Sequence, residues 1–287
     1  KRITFMRDMK IIAPWKTLRQ HADEILKDQR LRFIMDRYAT YSGSDPRKAP
    51  AVLSTIAFVE ESFGAWHVKG GLGNLTTTVH QRALDVGVTF HLNSPVVSIQ
   101  TSGNKATGVV LTDGTIVEAD AVIANADASL VYNKLITGHK RALKKARKNI
   151  ANADVSVAGF SLLLGMRKDP EQMLNHHTIL FPENYDAEFD AIFNEGKPVE
   201  KPTIYICAPQ DELMSKDENL EGWFVLVNAP AHGQFDWNNS EFASKYANSI
   251  IDQIEGRGIS VRDRLESLTI RTPADLEAAV RAPGGAI

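Results

Sequence analysis

The sequence predicts a mixed α/β (α+β) chain of 287 residues, and three patterns point to it. Apolar residues recur at helical spacing through the N-terminal stretch. Short β-prone runs divided by turn residues follow a third helix. Beyond them, near-continuous apolar runs bounded by turn signals read as strands of an antiparallel sheet with helices packed on it.

From Trp15 to Tyr41, the residues Leu18, Ile25, Leu26, Phe33, Ile34 and Tyr38 recur at helical spacing among charged neighbours, which predicts an amphipathic helical segment. Tyr41-Ser42-Gly43-Ser44-Asp45-Pro46 breaks it, and a second helix is expected from about Ala49 to Phe63. After Gly70-Gly71 a third helix carries Leu72, Leu75, Val79, Ala83 and Leu84 on one stripe, with Gly87 placed for a left-handed C-cap. Strands are predicted at Val88 to Leu92, Val96 to Gln100, Thr107 to Leu111, Ile116 to Glu118 and Ala121 to Ala124, with Asp113-Gly114 as a hairpin turn. A helix from about Ala128 to Ile150 follows, rich in Lys and Arg near its end. Val155 to Met166 reads as a strand buried on both faces, joined in one antiparallel sheet by His177 to Phe181, Thr203 to Ala208 and Trp223 to Asn228. Helices at Glu241 to Glu255, with Ser240 as cap, at Ser260 to Leu268 and at Pro273 to Val280 close the chain.

Composition sets bounds on function. The chain is 43% hydrophobic and 24% charged, enough to bury one large core or two modest ones, and its net charge of -2 leaves no footprint for nucleic acid. One cysteine, Cys207, excludes an internal disulfide and fits a reducing compartment. Ala49 to Trp66 is the longest apolar-leaning stretch, and Ser54, Glu60, Glu61 and Ser62 make it too polar to span a bilayer. Lys1 stands where an initiator Met is usual, and Pro283-Gly284-Gly285-Ala286-Ile287 reads as the entrance to a turn, so both ends are expected to be cuts through a longer protein.

GxGxxG after a strand, GxxxxGK[ST], HExxH and GxSxG are all absent. The adjacent pair His176-His177 is read as shaping a strand start, with no metal site assigned, because no second pair stands at ligand spacing. Carboxylates such as Asp23-Glu24 and Glu60-Glu61 follow solvated helix faces, so no acid-base dyad and no catalytic side chain is assigned.

One ordered constellation stands out: Lys69-Gly70-Gly71-Leu72-Gly73-Asn74-Leu75, then Ser94-Pro95-Val96-Val97-Ser98-Ile99, then Gly108 through Gly114, then Ala119-Asp120-Ala121-Val122-Ile123-Ala124-Asn125-Ala126-Asp127. In that order these pieces resemble the phytoene desaturase (carotenoid desaturase) family of the FAD-dependent amine oxidase-like superfamily. Tyr41-Ser42-Gly43, Glu61-Ser62-Phe63-Gly64, Asn175-His176-His177-Thr178-Ile179, Tyr205-Ile206-Cys207-Ala208-Pro209 and Thr272-Pro273-Ala274-Asp275-Leu276 extend the likeness over essentially the whole chain. Two departures stand beside it. The family's opening strand, glycine-rich turn and helix for the FAD pyrophosphate, and its second glycine-rich segment near the isoalloxazine, are not in this sequence.

The resemblance implies an incomplete FAD-binding domain of the glutathione-reductase-like type at 67–150, a substrate-binding domain with an antiparallel sheet at 151–287, and a helical part of the substrate- and membrane-facing region at 1–66. It implies FAD as cofactor and a phytoene-like polyene as hydrophobic substrate, desaturated by hydride transfer to flavin. Val96 matches a position whose backbone contacts the adenine of FAD; a plain core strand residue explains the same letter. Gly70 and Gly71 either let the chain approach flavin or substrate closely or only turn a loop into a helix. Asn125, Ala126 and Asp127 match the place where the family chain passes the cofactor, and capping of the next helix is the favoured role for Asp127.

A polyene partitions into bilayer, so a cytoplasmic protein with peripheral membrane contact is implied. Trp15, Phe33, Phe58, Phe63 and Trp66 are the candidates for that contact, against the alternative that they pack on their own domain. Strand edges left without sheet partners make homo-oligomers an expectation. A carotenoid oxidase, isomerase or amine oxidase, or a flavin-free lipid- or partner-binding domain, remain the competing readings.

Overall fold

The computed structural model describes residues 13–103, 105–136 and 140–286. The first amphipathic segment is two helices, α1 (Leu18–Ile25) and α2 (Gln29–Arg37). Each has its own cap. Thr17 and Gln20 form a reciprocal capping box on α1, and the Asp28 carboxylate accepts the Arg30 N–H at 2.8 Å, so the chain restarts rather than continues. Leu18 packs with Ala39 and Ala49 in a small core of its own. This helical layer is tied to the second half of the chain by Arg19, which pairs with Asp36 at 2.7 Å and Asp186 at 2.6 Å, and by Arg47, which pairs with Asp190 at 2.8 Å. Phe33 packs on Phe181 and Tyr185 there, so of the five aromatic candidates for membrane contact this one has a packing role.

Helices α3 (Ser54–Phe63) and α4 (Leu72–Asp85) follow. The predicted glycine cap closes α4: Gly87 has φ +89° and the Val88 N–H reaches back to the Ala83 carbonyl at 3.0 Å. The predicted apolar stripe on α4 is present but uncovered, since none of its residues is buried.

A three-stranded antiparallel sheet comes next, β1 (Val96–Ser102), β2 (Lys105–Leu111) and β3 (Ile116–Glu118), in that spatial order. Asp113-Gly114 makes the turn as expected, with Gly114 at φ +86° and the Asp113 carboxylate accepting the Thr115 N–H at 2.9 Å. Two predicted strands do not form. Val88 to Leu92 and Ala121 to Ala124 lie outside any strand, because a strand needs a ladder partner and none of the described residues supplies one. The expected helix from Ala128 to Ile150 is a short turn (Ala128–Leu130), a widened turn (Val131–Leu135) and α5 (Lys140–Ala151), with 137–139 outside the described residues.

The larger sheet has five strands, all antiparallel, in the order β5-β6-β7-β4-β8: β4 (Ala158–Arg167), β5 (His177–Leu180), β6 (Ile204–Cys207), β7 (Leu220–Ala229) and β8 (Leu265–Arg271). The four strands read from sequence are all here. The helix expected from Ser260 to Leu268 forms only the single turn Arg262–Arg264, and Leu265–Leu268 belong to β8 instead. The free edge of β4 decides the matter, pairing Leu162 with Ile270 and Leu164 with Leu268. A long-range ladder has outweighed local propensity.

One face of this sheet is packed by α6 (Ser240–Glu255). Phe160, Leu162, Leu164, Ile204, Ile206, Trp223, Val225 and Val227 meet Ala247, Ile250, Ile251 and Ile254 in the main core. Each such aliphatic side chain contributes about 1.5–3 kcal/mol on burial. The cap of α6 is Asn239, whose side chain accepts the Phe242 N–H at 3.0 Å; Ser240 is the first helical residue instead. Helix α7 (Pro273–Val280) begins with a capping box between Thr272 and Asp275. No helix among the described residues is long and apolar enough to cross a membrane.

Candidate functional site

The opposite face of the large sheet is where chemistry gathers. Side chains alternate across a strand, so burial of Ile204, Ile206, Trp223 and Val225 against α6 turns Tyr205, Cys207, Phe224 and Leu226 the other way. Strand register then lines up one row straight across this second face: His177, Cys207, Phe224, Leu163 and Thr269 are consecutive partners. The next row is Ile179, Tyr205, Leu226, Ser161 and Arg271. Leu163 and Phe224, both in the middle of the sheet, stay 39% and 37% exposed, which leaves an apolar strip open at its centre.

Polar groups collect at the β5 end of that strip. The His177 ring nitrogen Nδ1 lies 2.7 Å from the Tyr205 hydroxyl. The ring of His176 stands 4.5 Å from that of His177 and 4.9 Å, edge-on, from that of His67. Burial and the two neighbouring imidazoles hold His176 below its ordinary pKa, so it favours the neutral form. Tyr205 is pushed up, first by burial and then by the Cys207 thiol beside it.

His67 leads to the glycine pair. Its Nε2 lies 2.8 Å from Asp211 Oδ2, and the same oxygen accepts the Gly70 N–H at 2.6 Å. Asp211 Oδ1 accepts the Leu213 N–H at 2.9 Å. The Gly70 N–H, then His67 and the Leu213 N–H lower the Asp211 pKa to about 2, so it is a carboxylate at any working pH. Gly70 and Gly71 have φ +78° and +88°, a backbone that favours glycine. A Cβ on Gly70 would fall 2.2 Å from Asn74 Nδ2, and one on Gly71 3.3 Å from Met214 Cε. The turn into α4 is thereby tied to the segment between β6 and β7. A cavity of about 410 Å³ opens beside it, bounded by Asp211, Met214, Met173, Pro209 and Leu220. A larger one of about 700 Å³, near Leu180 and Arg257, is rimmed by Lys197, Glu200 and Lys201 and lies apart from the histidine cluster.

The sequence-derived site residues separate into two groups. Gly70 and Gly71 join the cluster just described. Val96 begins β1, the edge strand of the small sheet, opposite Leu111. Leu111 turns its N–H to Thr115 and its C=O to Gly114, away from Val96. Asn125 and Ala126 sit on an exposed segment preceded by Ile123, which is 94% exposed. Asp127 caps the short turn that follows, accepting the Ser129 N–H at 2.8 Å, as favoured from sequence.

Sequence reasoning did not find His67, Tyr205 or Asp211. For Tyr205 and Cys207 the signal was alternation along β6, and for Asp211 local sequence held none.

The helical layer, small meander and five-stranded sheet together have the fold of an oxidoreductase from Methanosarcina mazei, with a TM-score of 0.58 at 15% identity over 89% of this chain and 55% of that one. Residues 4–218 match the family described as flavin containing amine oxidoreductase. The chain belongs to that family.

Among curated relatives, it is 33% identical over 254 residues to a 1-hydroxycarotenoid 3,4-desaturase of Flavobacterium sp. (strain P99-3), covering 86% of this chain and 49% of the relative. It is 35% identical over 223 residues to a zeta-carotene-forming phytoene desaturase of Myxococcus xanthus, covering 76% and 42%. It is 28% identical over 284 residues to a 4,4'-diaponeurosporene oxygenase of Staphylococcus haemolyticus (strain JCSC1435), covering 98% and 56%. The chain thus spans about half the length of the curated relatives it matches.

Proposed function

We propose that this chain is part of an FAD-dependent oxidoreductase that desaturates a carotenoid precursor such as phytoene, and that the open sheet face is one wall of the channel holding the polyene. The observation that carries the proposal is the uncovered pair Leu163 and Phe224 in the middle of the large sheet, with half-buried Leu226 beside them. A hydrocarbon gains from such a wall because each leaves water against the other.

The residues present fit one side of a flavin nucleotide. Val96 opens an edge strand of the small sheet, and residues 121–126 lie largely exposed before Asp127. In this reading Val96, Asn125 and Ala126 line the cofactor, Asp127 holds the following turn in place, and the Gly70-Gly71 turn sets the start of α4. Oxidised flavin, when bound, supplies a hydride acceptor. The chain's own residues orient the polyene and exclude water. The division into a helical region at 1–66, a partial FAD-binding domain at 67–150 and a substrate domain at 151–287 belongs to the same proposal.

The test is product analysis of the parent protein with phytoene, together with its flavin content. The wild type is expected to carry one FAD and yield a product with added double bonds. Phe224→Glu is expected to keep the flavin and lose turnover at least tenfold, because a carboxylate on the wall strongly disfavours hydrocarbon. An unchanged rate in that variant would remove the sheet face from the channel. The oxygenase relatives keep a second reading alive, and oxygen incorporated into the product would replace desaturation by it. An amine consumed in place of phytoene would point to an amine oxidase.

Membrane contact belongs to the same reading. Trp15, Phe58, Phe63 and Trp66 are 62%, 64%, 69% and 88% exposed, and such side chains suit the headgroup boundary. Flotation with anionic liposomes is expected to carry the protein upward, and Phe63→Ser with Trp66→Ser to reduce the floated fraction at least threefold. Equal flotation of the two proteins would assign those side chains to internal packing or to another chain.

A further inference from the structure

We propose that His176, His177 and Cys207 form a binding site for a divalent transition-metal ion of the zinc type, independent of the flavin reading. The ligand atoms these three side chains offer all lie within 4.8 Å of one another. A tetrahedral zinc ion, with about 2.0–2.1 Å to nitrogen and 2.3 Å to sulfur, sets its ligands roughly 3.5 Å apart. Closing the set onto an ion takes side-chain movement on the order of an ångström.

The fold brings the three together in a way that spacing in the sequence hides. His177 and Cys207 are direct cross-strand partners on β5 and β6, so their side chains leave the same face side by side. His176 comes just before β5, and its carbonyl is fixed by the Ala208 N–H at 2.9 Å. Outside the strand it is free of strict alternation, and its ring stands next to that of its neighbour. The sheet edge thus presents two imidazoles and a thiol from two adjoining strands.

The surroundings suit ligation. In the tautomer whose Nδ1–H donates to the Tyr205 oxygen, 2.7 Å away, Nε2 of His177 carries the free lone pair. Asp211 does the same for His67: a carboxylate accepting from Nε2–H leaves Nδ1 as the lone-pair nitrogen. His67 packs edge-on to His176 but stands outside the converging set of three, so water is the fourth ligand of this site. Two imidazoles and one thiolate favour zinc or cobalt over calcium or magnesium, which prefer all-oxygen sites. A bound ion would hold the ends of β5 and β6 together.

The test uses the reduced, chelator-treated protein titrated with Co²⁺. Cys207 is the single cysteine of the chain, so a thiolate-to-cobalt charge-transfer band in this chain reports that residue without any substitution. The expected result is such a band saturating at one equivalent, with the visible bands of tetrahedral cobalt, both erased by Zn²⁺. Cys207→Ser is expected to lose the charge-transfer band, and His177→Ala to weaken cobalt binding at least tenfold. Saturation without a thiolate band, or no binding below about millimolar Co²⁺, overturns the proposal and leaves the cluster as packed aromatic rings. If either variant fails to fold, the wild-type band and its displacement by Zn²⁺ still decide.

Discussion

Replacing Trp237 with alanine is expected to lower the unfolding free energy by about 3–5 kcal/mol, among the largest losses a single side chain produces. Trp237 is 2% exposed and packs against Phe160, Phe235, Phe242 and Tyr246. Its indole N–H donates to the Pro230 carbonyl at 2.9 Å, a buried bond that alanine leaves unmade. Trp237→Phe keeps most of the volume and loses the donor with part of the ring, so a smaller cost of about 1–2 kcal/mol is expected. Urea unfolding followed by circular dichroism measures both. A loss under about 1 kcal/mol for the alanine variant would mean that α6 is not held to the sheet through this aromatic cluster.

The second large effect is expected at Glu188, which is fully buried. Its carboxylate accepts the Thr203 N–H at 2.6 Å, at the entrance to β6, and the Asn228 side-chain amide at 2.7 Å, on β7. Glu188→Ala leaves two buried donors without a partner, and a cost of about 3–5 kcal/mol is expected. Burial pushes the Glu188 pKa above its ordinary value of 4.5, against the weaker pull of Arg37 and the two hydrogen bonds. An acid raised on folding is bound to its proton more tightly in the native state. Its contribution is therefore fully present below the unfolded pKa and declines as pH rises through the window between 4.5 and the raised native value. Glu188→Gln cannot ionise. Stability against pH should fall more steeply for the wild type than for this variant across that window, and parallel profiles would show that Glu188 is ionised in the native protein without strain.

Much of the large sheet was legible because its chemistry is local. The apolar run from Val155 to Met166 and the runs ending at Cys207 and Asn228 each announce a strand, and Pro273 after Thr272 announces α7. The three strand misreadings share one physical origin. Leu265 to Arg271 becomes a strand only because β4 offers it an edge, while Val88 to Leu92 and Ala121 to Ala124 have strand-like letters and no such edge among the described residues. Propensity proposes a strand, and a partner decides it.

The candidate site was legible in part for a similar reason. Gly70-Gly71 marks its turn by residue type alone, whereas Asp211 matters through a single oxygen that accepts from Gly70 and faces His67, both far away in the chain. His176-His177 was read as a strand start, and His177 does open β5; its neighbour across the strands, Cys207, is invisible to spacing.

Asp211 has a mechanical meaning as well. Helix α4 has 14 residues, a rod about 21 Å long at 1.5 Å per residue. Its N-terminal end is tied to the segment between β6 and β7 by the Asp211 bond to Gly70, and its far end leads into the chain that runs on to Val96. A rod anchored at this end is a cantilever: a tilt at the connection after β6 is largest some 20 Å away, at Asp85.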